Sequence, residues 1–449
     1  MTISSPIEPD RSSGVTYQEL LDQDTRSIPE VLRSCSPLSS EEQTVGVERY
    51  FSPEFHQLEM ERVWKRAWQM ACREEEIPEV GDHTVYDIGL MSILVVRSAV
   101  DRIQAFHNVC LHRGRRLRDF EGRSAEIRCP FHGWTWQLDG SLAEVPCRWD
   151  FPSVHRDDYH LPELRVGLWG GFVFVNMEAD AEPLESYLGA LPEHFERWPL
   201  EKRYKESHVA KVLDCNWKIA QEAFMEAYHV ITTHPQLLAG IGDANSQYDC
   251  WENFSRAITP NMTPSPHVVD ATSEQDMLDS ATGRSLDSAA AVEVAEGKTA
   301  RSTLAQLSRM RLQATVPDTA ELSDAEMVDS FYYTLFPNFH PWGAYNRICY
   351  RFRPLGDNPR RSIMEVMYLA PFRGKRPPPA PVHWLGEDED WTHAPELGLL
   401  ARVFNQDTIN LPQVQRGVES SATGRVTLAR YQESKLRHFH QLLDRWVAT

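Results

Sequence analysis

The chain has 449 residues, of which 41% are hydrophobic and 10% aromatic, enough for the cores of two or three folded domains. Its formal net charge of −19 makes nucleic acid and anionic lipid unfavourable partners, because both are negatively charged. No apolar run approaches the roughly 18 residues that span a bilayer, and the polar N-terminus lacks the apolar centre of a signal peptide. We therefore expect a folded cytoplasmic protein that binds neither membrane nor nucleic acid.

The first predicted region is an N-terminal arm, residues 1–44, whose Ser, Pro, Glu and Asp content favours partial order at best. A helix is predicted from Pro53 to Met70, where apolar residues recur at helical spacing. Short strands separated by turn residues follow it: His83–Ile88, Ser92–Arg97, Ile103–His107, Glu126–Cys129, Thr135–Gln137 and Gly171–Asn176. Residues 45–178 are thus predicted to form a small all-β domain with a leading helix.

The second predicted domain, residues 179–449, mixes helices and strands. Its predicted helices are Leu184–Trp198, Trp217–Val230, Leu400–Val418 and Leu428–Trp446. Its predicted strands are Ser207–Val212, Ser330–Leu335, Arg347–Pro354 and Ser362–Leu369. The polar stretch 259–324 is interpreted as an insertion that contains a helix over Ala300–Leu312. The expected fold class is α+β, with an antiparallel sheet flanked by helices in a helix-grip-like arrangement.

Two short segments of the first domain each carry one cysteine and one histidine: Cys110 with His112, and Cys129 with His132. Two cysteines and two histidines would also satisfy tetrahedral zinc, so the residue types alone leave that alternative open. A zinc finger usually takes both cysteines from one segment and both histidines from the other. A Rieske [2Fe–2S] cluster has two thiolates on one iron and two imidazoles on the other, and the alternating order favours it.

A second set of metal-binding residue types lies in the second domain. Glu226 and His229 are three residues apart on a predicted helix and share a face. A helix break after His229, with Pro235 favouring an extended backbone at His234, lets both histidine rings converge. Asp407 lies in the apolar stripe of a later helix, where an ionised carboxylate needs a compensating charge. Two histidines and one carboxylate on one face of an iron leave positions open for dioxygen.

The bland alternatives for these residues are ordinary, partly buried histidines and an Asp407 that caps a helix or forms an ion pair. The presence of the Cys/His motifs upstream favours the metal site.

These motifs resemble the catalytic (alpha) subunit of Rieske non-haem iron aromatic-ring-hydroxylating oxygenases over about residues 50–449. The resemblance lies in Cys-x-His-Arg-Gly, Cys-Pro-Phe-His-Gly-Trp, Asn-Trp-Lys followed by acid-x-Tyr-His-x4-His, and the segment from Gln406 to Gly417. It implies a [2Fe–2S] cluster, a mononuclear Fe(II), dioxygen as cosubstrate and electrons from NAD(P)H. It also implies a homotrimer, and leaves open whether a small beta subunit joins.

The resemblance also implies a role for Glu226. In that family the acid three residues before the first iron-ligand histidine bridges that histidine to a Rieske histidine of a neighbouring subunit. Carried over to this chain, Glu226 would join His229 to His132 of the next copy. Many relatives carry Asp at this position, so the longer Glu side chain is a departure that affects the geometry of the bridge.

The electrons must come from another chain, because no Gly-rich dinucleotide fingerprint is visible. The resemblance implies a ferredoxin, a reductase or both. Four arginines beside the first cluster motif either dock such an acidic partner or satisfy local carbonyls and subunit contacts: Arg113, Arg115, Arg116 and Arg118.

The expected substrate is apolar, and aromatic or polycyclic compounds are favoured. Phe224 and Met225 are interpreted either as pocket residues or as core, and so is the aromatic run over residues 331–342. Dihydroxylation and monohydroxylation or demethylation use the same ligands and stay open. From a different class, a Rieske electron carrier without catalysis stays open as well; the metal-site residues 229, 234 and 407 argue against it.

Overall fold

The structure is a computed structural model that describes residues 14–38, 43–268, 272–282 and 292–448. Parts of the predicted arm and of the predicted insertion, residues 1–13, 39–42, 269–271 and 283–291, lie outside the described residues. In the part of the chain that is described, no helix has both the length and the apolar character needed to cross a membrane.

The first domain contains a seven-stranded antiparallel sheet and a three-stranded one, which confirms the predicted all-β domain. In sheet order, the seven strands are Gln69–Arg73, Phe172–Asn176, Glu163–Trp169, Arg102–His107, Met91–Ala99, Asp82–Ile88 and Gly122–Arg123. The smaller sheet has Ile127–Arg128, Thr135–Trp136 and Leu142–Glu144. Because side chains alternate along a strand, Leu94 and Val96 pack into the core behind the cluster motifs, whereas Ile93 and Val95 face a separate core shared with the second domain.

The second domain is built on an eight-stranded sheet, antiparallel except at one edge. In sheet order its strands are Gln247–Cys250, Phe254–Thr259, Ser330–Leu335, Phe339–Pro341, Ile348–Leu355, Asn358–Pro371, Arg203–Leu213 and His383–Trp384. The α-helices of this domain are Leu184–Leu188, Leu191–Phe195, Trp217–Glu222, Val230–Thr233, Glu274–Thr282, Ala300–Leu312, Asp324–Val328, Leu400–Glu419 and Ser434–Ala448. The predicted α+β class and the predicted helix Ala300–Leu312 are confirmed.

A buried network of charges fixes the two sheets against each other. Arg351 donates to the carbonyls of Met70 and Ala71 in the first sheet, at 3.0 and 2.6 Å. Its guanidinium also pairs with the buried carboxylate of Glu365, with Nη2 at 2.6 Å from Oε1. Hydrogen bonds to charged groups are among the stronger ones in proteins, so this network holds the two domains in one orientation.

Four predicted helices have other boundaries in the structure. The helix predicted over residues 53–70 is α-helical only at Pro53–Glu59, followed by a π-helical turn at Met60–Trp64, and residue 69 already begins a strand. The helix predicted over 184–198 is interrupted at Gly189, which has a φ of +54° that favours glycine. The helix predicted over 217–230 ends at Glu222. The C-terminal helix begins only at Ser434.

The described part of the N-terminal arm, residues 14–38 and 43–44, is more ordered than its composition predicts. Its short helices Tyr17–Leu21 and Glu30–Arg33 bury Tyr17, Leu20, Leu21 and Leu32 in a core that the second domain shares with the first sheet. Strand Gln43–Gly46 pairs with strand Arg425–Leu428. The last residue of the second strand, Leu428, is the residue at which the C-terminal helix was predicted to begin. A composition rich in polar residues did not reveal these long-range partners.

Candidate metal centres and substrate cavity

The two Cys/His segments fold into two loops with the same hydrogen bonds. The Cys110 amide donates to the Arg115 carbonyl at 2.8 Å, and the Cys129 amide donates to the Trp134 carbonyl at 2.8 Å. Each loop closes with a glycine of positive φ whose amide donates back to the cysteine carbonyl: Gly114 at +73° and Gly133 at +75°. The two cysteines thus occupy equivalent positions in the two loops, whereas His112 lies two residues after its cysteine and His132 lies three residues after its own.

The four side chains predicted to bind the cluster meet between the loops. The thiols of Cys110 and Cys129 are hydrogen-bonded neighbours, and the amides of His112 and Arg113 donate to the Cys110 sulfur. Burial raises the pKa of the Cys110 thiol. The rings of His112 and His132 lie 4.6 Å apart at their centroids, and Trp134 stacks on His112 at 5.1 Å.

These residues fit a [2Fe–2S] cluster. Nδ1 of His112 is buried and has no hydrogen-bond partner among the described residues, which is unusual for a polar atom and leaves it free for a metal. Two adjacent thiols with amide donors and two adjacent imidazoles are the donor set of a Rieske cluster.

The segment with Glu226 and His229 differs from its prediction. Asn216 caps helix Trp217–Glu222, accepting from the Lys218 amide at 3.0 Å, but the helix ends before Glu226. Glu226 and His229 therefore meet across a turn and not on one helical face. The predicted break also lies on the other side of His229, because a short helix, Val230–Thr233, follows it and separates it from His234.

The structure brings His229, His234 and Asp407 together. Their ligand atoms all lie within 4.8 Å of one another. Nε2 of His234 is 2.7 Å from Oδ1 of Asp407, and Nε2 of His229 is 3.5 Å from the same oxygen. Asp407 lies in the middle of helix Leu400–Glu419, which carries the carboxylate to the two histidines.

Two further residues orient the histidine rings. Nδ1 of His229 lies 2.6 Å from Oε1 of Glu226, and the His229 amide donates to Oε2 at 3.0 Å. Nδ1 of His234 lies 3.0 Å from Oε1 of Gln406, which also accepts from Gln236. Because the partners are acceptors, both Nδ1 atoms donate, and both Nε2 atoms are left available to a metal. Gln406 was not singled out from the sequence; its position beside Asp407 was the only signal.

The surroundings of this centre favour the charged forms of His229 and Asp407. Burial lowers the pKa of His229, but the carboxylates of Glu226 and Asp407 outweigh burial and raise it to about 10. Burial raises the pKa of Asp407, but hydrogen bonds from both histidines outweigh it and lower the value. A buried carboxylate that stays ionised beside two imidazoles suits a divalent cation.

The centre opens into a cavity of about 1210 Å³ lined by Glu226, His229, His234 and Asp407. Aromatic side chains form much of the remaining wall: Phe224, Tyr332, Trp342, Tyr345, Tyr350, Tyr368 and Phe404. The indole nitrogen of Trp342 is buried without a hydrogen-bond partner in the described part of the chain, so it is a free donor in this wall.

Each ambiguous aromatic segment is divided between cavity and core. Tyr332 and Trp342 line the cavity, whereas Phe331 and Tyr333 pack in the core because neighbouring strand residues face opposite ways. Phe224 likewise lines the cavity, while Met225 is fully buried in the core. In each segment, the interpretation as pocket is therefore right for some residues and the interpretation as core is right for others.

All four arginines beside the cluster contact other groups of the chain. Arg115 pairs with Asp119 at 2.6 Å and Arg116 with Asp87 at 2.6 Å. Arg118 donates to backbone carbonyls, and Arg113 lies over the Phe131 ring at 5.4 Å. These contacts favour the interpretation that the arginines support the cluster loops.

Comparisons with known proteins agree with this geometry. The family "Ring hydroxylating alpha subunit (catalytic domain)" matches residues 192–449, and "Rieske [2Fe-2S] domain" matches residues 67–155. Chlorobenzene dioxygenase subunit alpha of Cupriavidus sp. (strain PS12) is 33% identical over 204 residues, 43% of this chain and 45% of that protein. The glycine betaine monooxygenase oxygenase subunit of Pseudomonas aeruginosa (strain UCBPP-PA14) is 32% identical over 192 residues, 42% of this chain and 44% of that protein. The chain thus matches somewhat less than half the length of these curated relatives.

A solved structure is similar in fold over most of the chain. A mutant naphthalene 1,2-dioxygenase bound to phenanthrene superposes with a TM-score of 0.65 at 18% identity, covering 92% of this chain and 94% of that one. The family match on the catalytic domain covers more than half of the chain, and a Rieske domain precedes it. By these matches the chain belongs to the alpha subunits of Rieske ring-hydroxylating oxygenases, whose cofactors are a [2Fe–2S] cluster and a mononuclear iron.

Proposed function

We propose that this chain is a terminal oxygenase, which takes electrons from NAD(P)H through a separate ferredoxin, reductase or both, and uses dioxygen to hydroxylate an apolar substrate. The observation that carries this proposal is the convergence of two histidine Nε2 atoms on Oδ1 of Asp407 at the wall of a large cavity. An electron carrier has no use for such a centre beside a cavity, which argues against the alternative without catalysis.

In this proposal residues 45–178 form the cluster domain and residues 179–449 the catalytic domain. The cluster is held by Cys110, His112, Cys129 and His132. The mononuclear iron is held by His229, His234 and Asp407. When bound, the cluster supplies electrons and the iron supplies open positions for dioxygen. Glu226 and Gln406 keep the Nδ1 protons of the two ligand histidines and so aim both Nε2 atoms.

We further propose that the working unit is a homotrimer in which Glu226 bridges His229 to His132 of a neighbouring copy. Each oxygen of Glu226 already accepts one hydrogen bond from His229, and a carboxylate oxygen can accept a second. Exposed aromatic residues lie beside both partners: Tyr228 is 54% exposed and Phe131 56% exposed. Contact between copies would cover both rings.

The walls of the cavity support a neutral ring compound over a quaternary ammonium compound. All five carboxylates that line the cavity in the described structure have a cationic or imidazole partner: Glu226, Glu326, Asp329, Glu396 and Asp407. Arginines neutralise Glu326 and Asp329, and Glu226 and Asp407 hold the histidines of the centre. The aromatic wall and a volume at or above the roughly 300–1,000 Å³ of ordinary ligand pockets suit a substrate of several rings.

A substrate panel with a surrogate ferredoxin and reductase tests this function. Naphthalene, phenanthrene, indole and glycine betaine would be incubated with the purified protein, and NADH oxidation and hydroxylated products measured. We expect product from ring compounds and none from glycine betaine. Formaldehyde from glycine betaine, with no product from the rings, would replace this proposal with a demethylating monooxygenase. No product from any compound, with a cluster that reduces and reoxidises normally, would favour the electron carrier.

A further inference from the structure

The N-terminal strap, defined as residues 14–38, touches the wall of the cavity at two points. Residues 326–330 line the cavity; they are the last three residues of the wall helix Asp324–Val328 and the two residues that follow it. At the start of this helix, the carboxylate of Asp24 accepts from the amides of Asp324 and Ala325, both at 2.9 Å. At its end, the hydroxyl of Tyr17 donates to Oδ2 of Asp329 at 2.9 Å.

Both contact points are charged; the one at Asp329 is buried, and the one at Asp24 is partly buried. The carboxylate of Asp329 also accepts one hydrogen bond from each terminal nitrogen of Arg301, both at 2.6 Å. The Asp329 side chain is fully buried. Oδ1 of Asp324 accepts hydrogen bonds from Nη2 of Arg309 at 2.5 Å and from the hydroxyl of Thr25 at 3.0 Å. Arg301 and Arg309 lie on helix Ala300–Leu312, whose residues 308, 311 and 312 line the same cavity. Strap, wall helix and insertion helix are therefore joined through two shared carboxylates.

Apolar packing anchors the strap itself. Leu20, Leu21 and Leu32 are buried among core residues of the second domain, and Arg256 donates to the carbonyls of Val31 and Ser34 at 2.6 and 2.8 Å. A strap anchored in this way can hold the wall helix in place, because its Tyr17 and Asp24 side chains have little freedom to move.

We propose that the strap is a specificity-determining part of the substrate site, in which Tyr17 and Asp24 act as positioning residues for the wall formed by residues 326–330. This inference rests on the proposed function, since it takes the cavity as the substrate site. If either end of the wall helix is loosened, residues 326–330 can occupy a wider range of positions. Such loosening therefore weakens substrate binding without touching the groups that do the chemistry.

The test compares Tyr17→Phe with Tyr187→Phe. The control removes one buried hydroxyl from the same core, where the Tyr187 hydroxyl donates to the Phe336 carbonyl at 2.8 Å and not to residues 326–330. Asp24→Asn is a second strap variant, and Asp22→Asn, which loosens only the surface pair with Arg33, is its control. Iron content and the cluster spectrum are expected to match the wild type in all four.

In both strap variants we expect faster hydrogen exchange at the amides of residues 326–330. With phenanthrene as the probe, KM should rise about threefold or more while kcat stays within about twofold, the signature of lost binding. With the smaller probe naphthalene the rise in KM should be less. Neither control should show these changes.

Wild-type exchange at residues 326–330 in both strap variants would overturn the proposal, and so would equal KM changes in the controls. A fall in kcat with unchanged KM would overturn it too. If the wild type converts neither probe, the proposed substrate class fails. The exchange measurement, which needs no turnover, then still decides whether the strap holds the wall.

Discussion

The cluster loops and the mononuclear centre differ in how their side chains are brought together. The predicted cluster ligands lie within one stretch, from Cys110 to His132, on two loops with the same internal hydrogen bonds. The predicted iron ligands come from a turn near residue 229 and from a helix near residue 407, and they meet only because that helix packs on the second sheet. Local turns therefore specify the first site, whereas tertiary packing specifies the second. A substitution that disrupts one site should therefore leave the other site intact.

The largest effect is expected from Asp407→Ala. The variant loses the carboxylate on which both Nε2 atoms converge, so the mononuclear iron and all hydroxylation should be lost. The cluster spectrum should be unchanged because the cluster loops are elsewhere. Iron analysis, visible spectroscopy and product assays check this, with Asn410→Ala on the exposed side of the same helix as control. Substantial hydroxylation by the Asp407 variant would show that the triad is wrongly chosen.

The reciprocal change is Cys129→Ser, which removes a predicted cluster thiolate. Iron should fall from about three atoms per chain to about one, since a Rieske cluster holds two and the second centre remains intact. The wild-type cluster should have a potential of roughly −150 to +300 mV. A potential near −400 mV, typical of plant-type ferredoxins, would contradict the two-histidine ligation.

Glu226→Gln probes the connection between the two sites. The amide keeps the size of the side chain but loses the charge that holds the His229 Nδ1 proton and, in the proposed trimer, that of His132. Cluster reduction should stay normal, but reoxidation by dioxygen and substrate should slow by at least about tenfold, a typical effect for a residue that orients metal ligands.

Stopped-flow mixing of the reduced protein with dioxygen and substrate measures this rate. Glu222→Gln is the matched control, because Glu222 bonds to Tyr50 and His440 and not to either histidine of the centre. If reoxidation in the Glu226 variant is as fast as in the wild type, Glu226 only supports the turn around it and electrons take another path.

A smaller effect is expected at Gln406. Gln406→Ala removes the acceptor for Nδ1 of His234, so the ring is less well oriented and iron affinity should fall by about tenfold. Gln406→Glu keeps an oxygen acceptor and should retain the affinity. Competition with a metal chelator measures it, and equal affinities in wild type and Gln406→Ala would show that Gln406 has no part in the centre.

The same contrast explains what the sequence could predict. The cluster residues and their glycine turns were recognisable because the hydrogen bonds that close each loop are local. The triad residues were recognisable from type and spacing, but the reason given for the contact between Glu226 and His229 was wrong, since the helix ends before it. The strap was not recognisable, because its partners Asp324 and Asp329 lie some 300 positions away.

The most direct test of the central claim is a single turnover under ¹⁸O₂. The purified protein would be reduced, freed of reductant and mixed with ¹⁸O₂ and phenanthrene, without ferredoxin or reductase. We predict that the cluster reoxidises and that the hydroxylated product carries ¹⁸O. In Asp407→Ala we expect neither product nor label. Reoxidation of the wild-type cluster with no labelled product, for phenanthrene and for every other compound of the panel, would contradict the assignment of this chain as the oxygenase.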